Sequence, residues 1–563
     1  MLKMKFDEII EILGEFGPYQ KRLYYLLCLP AISSAMQMLV TVFTLSIPDH
    51  RCHVLDSYND TSYHPRDLLH QLYVNHSIPR DTDGEWSSCQ RYDVDLTTVT
   101  AYTVIDVNAT RESCDRWVYD TSTFEDTFIT EQNLICGDAL LRSHANMITM
   151  AGLLVGAFGF GILSDMIGRK RSLLASVSLH IVGSIATSFS PNFTVFVICR
   201  FFTGAANSGA FMSAFVLGLE LVGPSKRTFA GIVIELFWCI GLFILSIMAY
   251  LIRDWSTLQL AISVPSVFLL AIFWFVPESP RWLVSQDKTE KAEQILRKAA
   301  EVNKVELPVK LFDKDTLDSG PQAKVYEMFT SPVLLIRSLI IFFNWMVVSM
   351  VYYGLGLNVG NLGGDIYVNF TVANIVETVS YVLCIFLLDR LGRKALHCSS
   401  MLLGGIACIL TIFPVLYLGE SYEWITITLS MVGKLGASAA FAVIHVLSAE
   451  LFPTVTRNSA MGFSSFCACV GGMISPYIAD LGTIVKGDIG TALPLLVFGG
   501  ASVAAGLLSL LLPETLNQIL PETIEDAKQF GRKNNKISPN ITNNMNKSAE
   551  EAGGGKCEPN GKF

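Results

Sequence analysis

The chain repeats itself at matching places in its two halves. Asp165-Met-Ile-Gly168-Arg169-Lys170 returns as Asp389-Arg-Leu-Gly392-Arg393-Lys394. Glu220, with Arg227 downstream, returns as Glu450 with Arg457 at the same spacing, and Pro277-Glu278-Ser279 returns as Pro513-Glu514-Thr515. All three offsets fall at about 230 residues, which marks the duplication of one unit. Each motif also closes a long apolar run, where a membrane helix would emerge into water. The chain must therefore fold as two like bundles. Two homologous membrane bundles facing each other place a binding site between halves that can rock.

Composition supports a membrane chain: 51 % of residues are hydrophobic and 16 % charged, less charge than a soluble protein carries. The apolar residues gather into about twelve runs of roughly 20 residues, each long enough to span a bilayer. The spacing predicts a short segment 1–20, a bundle over 21–281 that includes a large loop at 48–140, a linker 282–333, a second bundle 334–513 and a tail 514–563, disordered from about 530. Basic residues collect at Arg169 to Arg171, Lys226/Arg227, Arg281 to Arg297 and Arg390 to Lys394, whereas opposite-side loops such as 419–423 carry almost none. By the positive-inside rule both termini are cytoplasmic and loop 48–140 lies outside, as expected of a multi-pass plasma-membrane protein. The first run is too long for a secretory signal and follows the acidic stretch Asp7 to Glu15. The net charge of −9 says little about partners, because the acidic excess lies largely in the loop.

Four of the thirteen cysteines, Cys52, Cys89, Cys114 and Cys136, lie in that loop. Outside the cell they predict two disulfides, with three pairings open. The same loop holds glycosylation sequons at Asn59, Asn75 and Asn108. Asn192 and Asn369 match the pattern against a membrane boundary and are not expected to be modified. Asn540 and Asn546 match on the cytosolic side, where the chemistry does not occur.

Charges inside spans are the sharper signal: Glu235 in the fifth, Glu377 in the eighth and Lys434 in the tenth. A charge at the bilayer centre costs at least a few kcal/mol, so such residues face a wet pathway or pair with each other. Glu377 with Lys434 is the pair that would merely hold helices together. Read as a site, two carboxylates suit a cation, and Lys434 would take the carboxylate of a zwitterion. Small Gly156, Gly159 and Gly161 allow close helix approach. Asp165 is expected to accept hydrogen bonds from a neighbouring helix N-terminus and pair with an arginine, forming with Arg169, Lys170, Glu220 and Arg227 a latch that opens and closes. Asp389, Arg393, Glu450 and Arg457 form its second copy, where Ile385 replaces Gly161. The alternative is that these charges only set topology. No phosphate-binding loop, zinc spacing or nucleophile elbow occurs, so neither an enzyme nor an ATP-driven pump is expected, and no nucleic-acid partner.

These residues resemble the major facilitator superfamily, and within it the organic cation, carnitine and organic anion transporter family. Gly161-x3-Asp165-x2-Gly168-Arg-Lys-Arg marks the superfamily, and Pro277-Glu-Ser-Pro-Arg281-Trp282-Leu283 is shared with sugar porters. The narrower likeness rests on Glu112-Ser-Cys114-Asp-Arg-Trp117, Ala214-Phe-Val-Leu-Gly-Leu-Glu220, Asn361-Leu-Gly-Gly-Asp365-x-Tyr367, Gly433-Lys434-Leu-Gly and Ala449-Glu450-Leu-Phe-Pro453-Thr. It covers the chain to about residue 532. The resemblance implies an all-α membrane fold of twelve helices in two pseudo-symmetric six-helix bundles. It implies alternating-access transport of a small organic cation or zwitterion of the carnitine, choline, betaine or biogenic-amine type. An organic anion carrier and a non-transporting receptor on the same fold stay open.

By the same resemblance Glu235 stands where cation-transporting relatives carry a polar residue, and Glu377 matches a glutamate of the eighth span. Phe211, Trp238, Trp345 and Tyr352 match aromatics that bind cations, which a ring face attracts by about 2 kcal/mol when dry. Cys469 stands where cation carriers carry aspartate and anion or carnitine carriers arginine. The missing arginine argues against a strongly anionic substrate. His445 is a weak candidate for carrying protons. No cofactor is expected beyond a coupling ion, sodium or proton, and monomer and homo-oligomer are both open.

Overall fold

Polar residues at the ends of the apolar runs decide where each helix starts. In the computed structural model the described residues are 6–54, 60–80, 84, 86–93, 110–308, 311–312, 331–418, 422–453, 456–485, 488–516, 518, 521 and 523–531. Spans 1 to 6 are Pro18–Thr44, Leu140–Ile167, Arg169–Ser188, Phe193–Leu221, Arg227–Leu251 and Trp255–Phe275. Spans 7 to 12 are Pro332–Asn358, Ile366–Leu391, Arg393–Tyr417, Glu423–Leu451, Arg457–Ala479 and Asp488–Ser509. Asn192, Asp254 and Asp365 cap spans 4, 6 and 8 by accepting from the backbone N–H of Val195, Thr257 and Tyr367. Asn192 is thus used as a helix cap, and Asn369 donates to the Gly363 carbonyl.

Among the described residues eleven helices are long and apolar enough to cross a membrane. The twelfth expected span, Arg169–Ser188, falls short because one face carries Ser172, Ser176, His180, Ser184 and Thr187, all buried. That face packs inward. His180 Nε2 lies 2.9 Å from Ser33 Oγ, which in turn meets Ser266 Oγ at 2.6 Å. Span 9 repeats the device: His397 Nε2 lies 3.0 Å from Asn344 Oδ1, which also accepts from Ser509 at 2.8 Å. In each half a histidine on the third helix is tied to the first and sixth. Outward surfaces are apolar, with Phe268, Trp274, Phe386 and Leu511 exposed, as lipid contact requires.

Loop 48–140 folds into a small module on one side of the membrane. His50–Cys52 pairs antiparallel with Trp117–Tyr119, and Gln90–Tyr92 with Arg111–Ser113. Disulfides join Cys52 to Cys114 and Cys89 to Cys136. Arg51 is fully buried, yet its guanidinium meets both Asp60 carboxylate oxygens, at 2.8 and 2.6 Å, and the carbonyls of Cys52, Ser62 and Tyr63. Burial pushes the Asp60 carboxyl up, but the hydrogen bonds and charge of Arg51, with Val54 N–H and His70, hold it below the usual carboxylate range. Asn75 lies on the helix Leu68–Ser77, while Asn59 and Asn108 fall outside the described residues. Arg253 donates to the Ser122 carbonyl and Trp255 Nε1 to Glu131, fixing the module to the start of span 6.

On the opposite side each half carries a docked helix. The linker helix Thr289–Asn303 packs Leu296 and Ala300 in one cluster with Ile9 of the helix Phe6–Ile12 and with Leu13 just beyond it. Asn303 adds hydrogen bonds to Gln20 and the Leu13 carbonyl. The tail helix Ile524–Gln529 docks on span 7, where Arg337 donates to the Ala527 and Phe530 carbonyls. The linker residues 313–330 and the tail beyond 531 lie outside the described residues.

The halves are closed against each other on the loop side. Phe43 of span 1 stacks on Tyr367 and meets Phe370 edge-on, with ring centroids at 5.7 and 5.0 Å, and Tyr250 of span 5 abuts Tyr367 at 5.6 Å. Arg142 at the start of span 2 pairs with Asp480 at the end of span 11, 3.4 Å away, and both are buried. Asp480→Asn leaves that arginine without its counter-charge, at about 3–5 kcal/mol to the closed arrangement. A membrane-impermeant thiol reagent applied from the loop side of sealed vesicles should then label Cys469 at least about tenfold faster than in the parent protein. An unchanged rate, measured by mass with Cys469→Ala as control, would rule out this pair as the closure.

Candidate functional site

Glu235, Glu377 and Lys434 come together where the halves meet. Span 8 supplies Glu377, which is fully buried, and span 10 supplies Lys434, whose Nζ lies 3.0 Å from Glu377 Oε2. The opposite oxygen, Oε1, accepts from the hydroxyls of Tyr352 at 2.6 Å and Tyr381 at 3.2 Å. Tyr352 reaches it from span 7 and Tyr381 from the next turn of span 8. The lysine contact is ionic but not aligned as a hydrogen bond, so Glu377 Oε2 and Lys434 Nζ each keep bonding capacity. Lys434 Nζ also sits 3.9 Å from the centroid of the Tyr352 ring.

Glu235 on span 5 comes within electrostatic reach of Glu377 from the other half and is partly buried. Tyr353 lies within electrostatic reach of Glu235, Glu377 and Cys469, which sets the four groups around one space. Among the described residues no cation lies within ion-pair distance of Glu235. The pair Glu377–Lys434 is therefore neutral as a unit, and Glu235 is the carboxyl group left without a cation beside it.

Aromatic rings line the same region. Phe211 of span 4 meets Trp238 of span 5 edge-on at 6.1 Å, and the buried Trp238 Nε1 has no acceptor. Tyr352 stacks on Phe441 at 4.8 Å, and Trp345, two turns earlier on the same face, meets Phe441 at 6.5 Å and His445 at 4.5 Å. Trp345 Nε1 is committed to Ser448 Oγ at 2.8 Å, and His445 Nδ1 donates to the Phe441 carbonyl. Phe441 and Tyr381 were not singled out by sequence. Tyr381 had a signal, since it lies one helical turn from Glu377. Phe441 had none, because an aromatic in an apolar run reads as packing.

The repeated motifs sit at the far ends of the spans, and the structure gives their charges different tasks. The carboxylate at the N-terminus of span 3 is Glu278, not Asp165: its Oε1 accepts from Lys170 N–H at 3.0 Å, beneath the turn at Gly168. Glu514 does the same for span 9, accepting from Arg393 N–H at 2.9 Å beneath Gly392. Gly168 and Gly392 turn at φ +105° and +93°, where a side chain would be strained and would strike those carboxylates. Asp165 is largely exposed and pairs with Arg169 at 2.8 Å, and Arg169 reaches Glu220 at 3.4 Å. Asp389–Arg393 at 3.1 Å and Arg393–Glu450 at 3.1 Å are the second copy. Trp282 Nε1 donates to the Asp165 carbonyl, and Lys170 lies over the Phe273 ring. Arg227 starts span 5, and Arg457 at the start of span 11 donates to the Phe452 carbonyl within electrostatic reach of Glu450. These contacts all join residues of one half.

The profile of the sugar (and other) transporter family matches residues 105–526. The organic cation transporter protein of Drosophila melanogaster is 40 % identical over 543 residues, which cover 94 % of this chain and 96 % of that one. The human organic cation/carnitine transporter 2 is 34 % identical over 556 residues, covering 95 % and 96 %. Among solved structures, the proton:xylose symporter XylE of the major facilitator superfamily superimposes with a TM-score of 0.59 at 17 % identity, over 90 % of this chain and 98 % of that one. The partially occluded inward-open conformation of XylE from E. coli gives 0.58 at 16 %, over 89 % and 100 %. That likeness establishes the fold: two six-helix bundles of the major facilitator type. The chain belongs to the organic cation and carnitine transporter family of that superfamily, a family of membrane transporters and not of enzymes.

Proposed function

We propose that this chain carries small organic cations or zwitterions, of the carnitine, choline, betaine or biogenic-amine type, across the plasma membrane by alternating access. The observation that carries the reading is Glu235: a partly buried carboxyl group in mid-span, with no cation of its own among the described residues, beside an aromatic wall. A cation entering the site loses hydration that must be replaced by fixed negative charge and ring faces. Glu235 and Glu377 together supply more negative charge than Lys434 balances, and Phe211, Trp238, Tyr352 and Tyr353 supply the faces. The relatives named for organic cations and carnitine support the same substrate class. An organic anion carrier is disfavoured, because the one intramembrane cation at the centre, Lys434, is already paired and Cys469 brings no charge.

Glu235→Gln should weaken the half-saturating concentration for a cation in exchange assays several-fold, about 1–3 kcal/mol for a charge-assisted contact. Lys434→Ala should weaken a zwitterion more than a simple cation, because only the zwitterion loses a partner for its carboxylate. Normal cation affinity in Glu235→Gln, together with loss of anion exchange in Lys434→Ala, would replace this reading with the anion carrier.

The repeated motifs serve as gates in this reading. The Asp165–Arg169–Glu220 and Asp389–Arg393–Glu450 clusters brace the ends of spans 2 to 4 and 8 to 10, so that each half rocks as a unit and the charges become available to the other half when that side closes. Glu278→Gln should slow turnover at least about fivefold with surface expression retained, because a neutral amide holds the span 3 N-terminus less well. Asp165→Asn should do the same through its arginine. Unaltered turnover in both would reduce the motifs to topological signals. Both termini are cytoplasmic and the disulfide module extracellular in this proposal; enzymatic deglycosylation should then find glycan on Asn59, Asn75 or Asn108 and none on Asn540. Glycan on Asn540 would invert the topology.

A further inference from the structure

Lys434 occupies the place where a substrate ammonium would be held. Its Nζ has a carboxylate oxygen at 3.0 Å and an aromatic face at 3.9 Å, the two partners that a dehydrated organic cation requires. It is buried, yet makes no aligned hydrogen bond, so charge and ring face alone retain it. We propose that Lys434 is a tethered stand-in for the substrate's ammonium group: it holds Glu377 and the Tyr352 ring in the empty carrier and yields them to the incoming cation. The inference rests on the cation and zwitterion reading above.

The consequence is for the return of the unloaded protein. Glu377 is fully buried, and a buried carboxylate without a counter-charge is strongly unfavourable. Reversing orientation with Glu377 unpaired would add that penalty to every empty return. With Lys434 seated the pair is neutral, so the empty carrier can return and net uptake can proceed. On loading, the displaced lysine needs a new partner. A zwitterion brings its own carboxylate. A simple cation brings none, and the unpaired Glu235, within electrostatic reach of Glu377, is the group available to Lys434. Two cations, one tethered and one carried, then balance two carboxylates.

The test uses the full-length protein in proteoliposomes and radiolabelled tetraethylammonium, a permanent cation with no carboxylate. Net uptake into empty vesicles is compared with exchange into vesicles preloaded with the unlabelled cation. Lys434→Gln should lower net uptake at least about tenfold while exchange falls no more than about threefold, because only the empty return meets the unpaired charge. Lys434→Arg should recover much of the net uptake. Lys434→Gln combined with Glu377→Gln should exceed Glu377→Gln alone, since the double change leaves no unpaired charge on either residue. Equal loss of net uptake and exchange in Lys434→Gln, or full net uptake, overturns the inference. If that variant does not fold, a double variant no better than Glu377→Gln overturns it instead. Parent vesicles that exchange none of tetraethylammonium, choline or carnitine overturn the cation reading and this inference with it; an altered lysine pattern alone overturns only the latter.

Discussion

A charge that cannot reach water must find its partner inside the protein, and the arrangement of this chain follows from where those partners are. Arg142 finds Asp480 across the halves, Lys434 finds Glu377 within the second half, and Arg51 finds Asp60 in the loop module. The first two link segments distant in sequence and so fix a distance between spans, while the third folds the loop back on itself within nine residues. In the low-dielectric interior, breaking one costs far more than the same contact gains on a surface. Glu235, which is partly buried, and the fully buried Arg200 of span 4 have no ionic partner among the described residues; the Arg200 guanidinium donates to the Gln37 carbonyl and lies over the Phe196 ring. The site is a place where the pairing rule is deliberately left one partner short.

The duplicated halves share more than their motifs. Glu278 and Glu514 hold the N-termini of equivalent helices, His180 and His397 tie the third helix of each half to its first, and a short helix docks on the terminal side of each half. The charges of transport break the symmetry. Glu377 and Lys434 both belong to the second half, whereas Glu235 belongs to the first. The second half thus presents a charge-balanced pair to the centre, and the first half a carboxyl group with no cation beside it.

Much of the fold was legible because it rests on local rules. Apolar runs of span length, basic loops and the motif offset needed no tertiary information. Span 3 was read as a span despite its serines and His180; what needed tertiary information is that this polar face is inside, which only the neighbouring helices reveal. Glu235, Glu377 and Lys434 announced themselves, since charge in an apolar run is conspicuous. The pairing of Glu377 with Lys434 was named as one alternative and the structure shows that contact; where Glu235 stands relative to it was not legible, because that depends on how spans 5, 8 and 10 are arranged in space. The exchange of roles between Asp165 and Glu278 has the same origin. Both are acidic residues in repeated motifs, and only the turn at Gly168 decides which carboxylate lies under the helix end.

The loop module is bonded three ways to span 6 of the first half, through Arg253, Trp255 and the Asp126–Asp254 bridge. Its link to the second half is slighter: the Tyr367 hydroxyl donates to the Thr123 carbonyl, and Phe124 leans on the Tyr367 ring. The module is therefore a passenger of one half that touches the other. When the loop side parts, it must travel with the first half and leave Tyr367 behind. A macromolecule that grips the module and the second half together would stall the carrier by acting as a strap, from a position remote from the central carboxylates and without resembling anything the carrier transports.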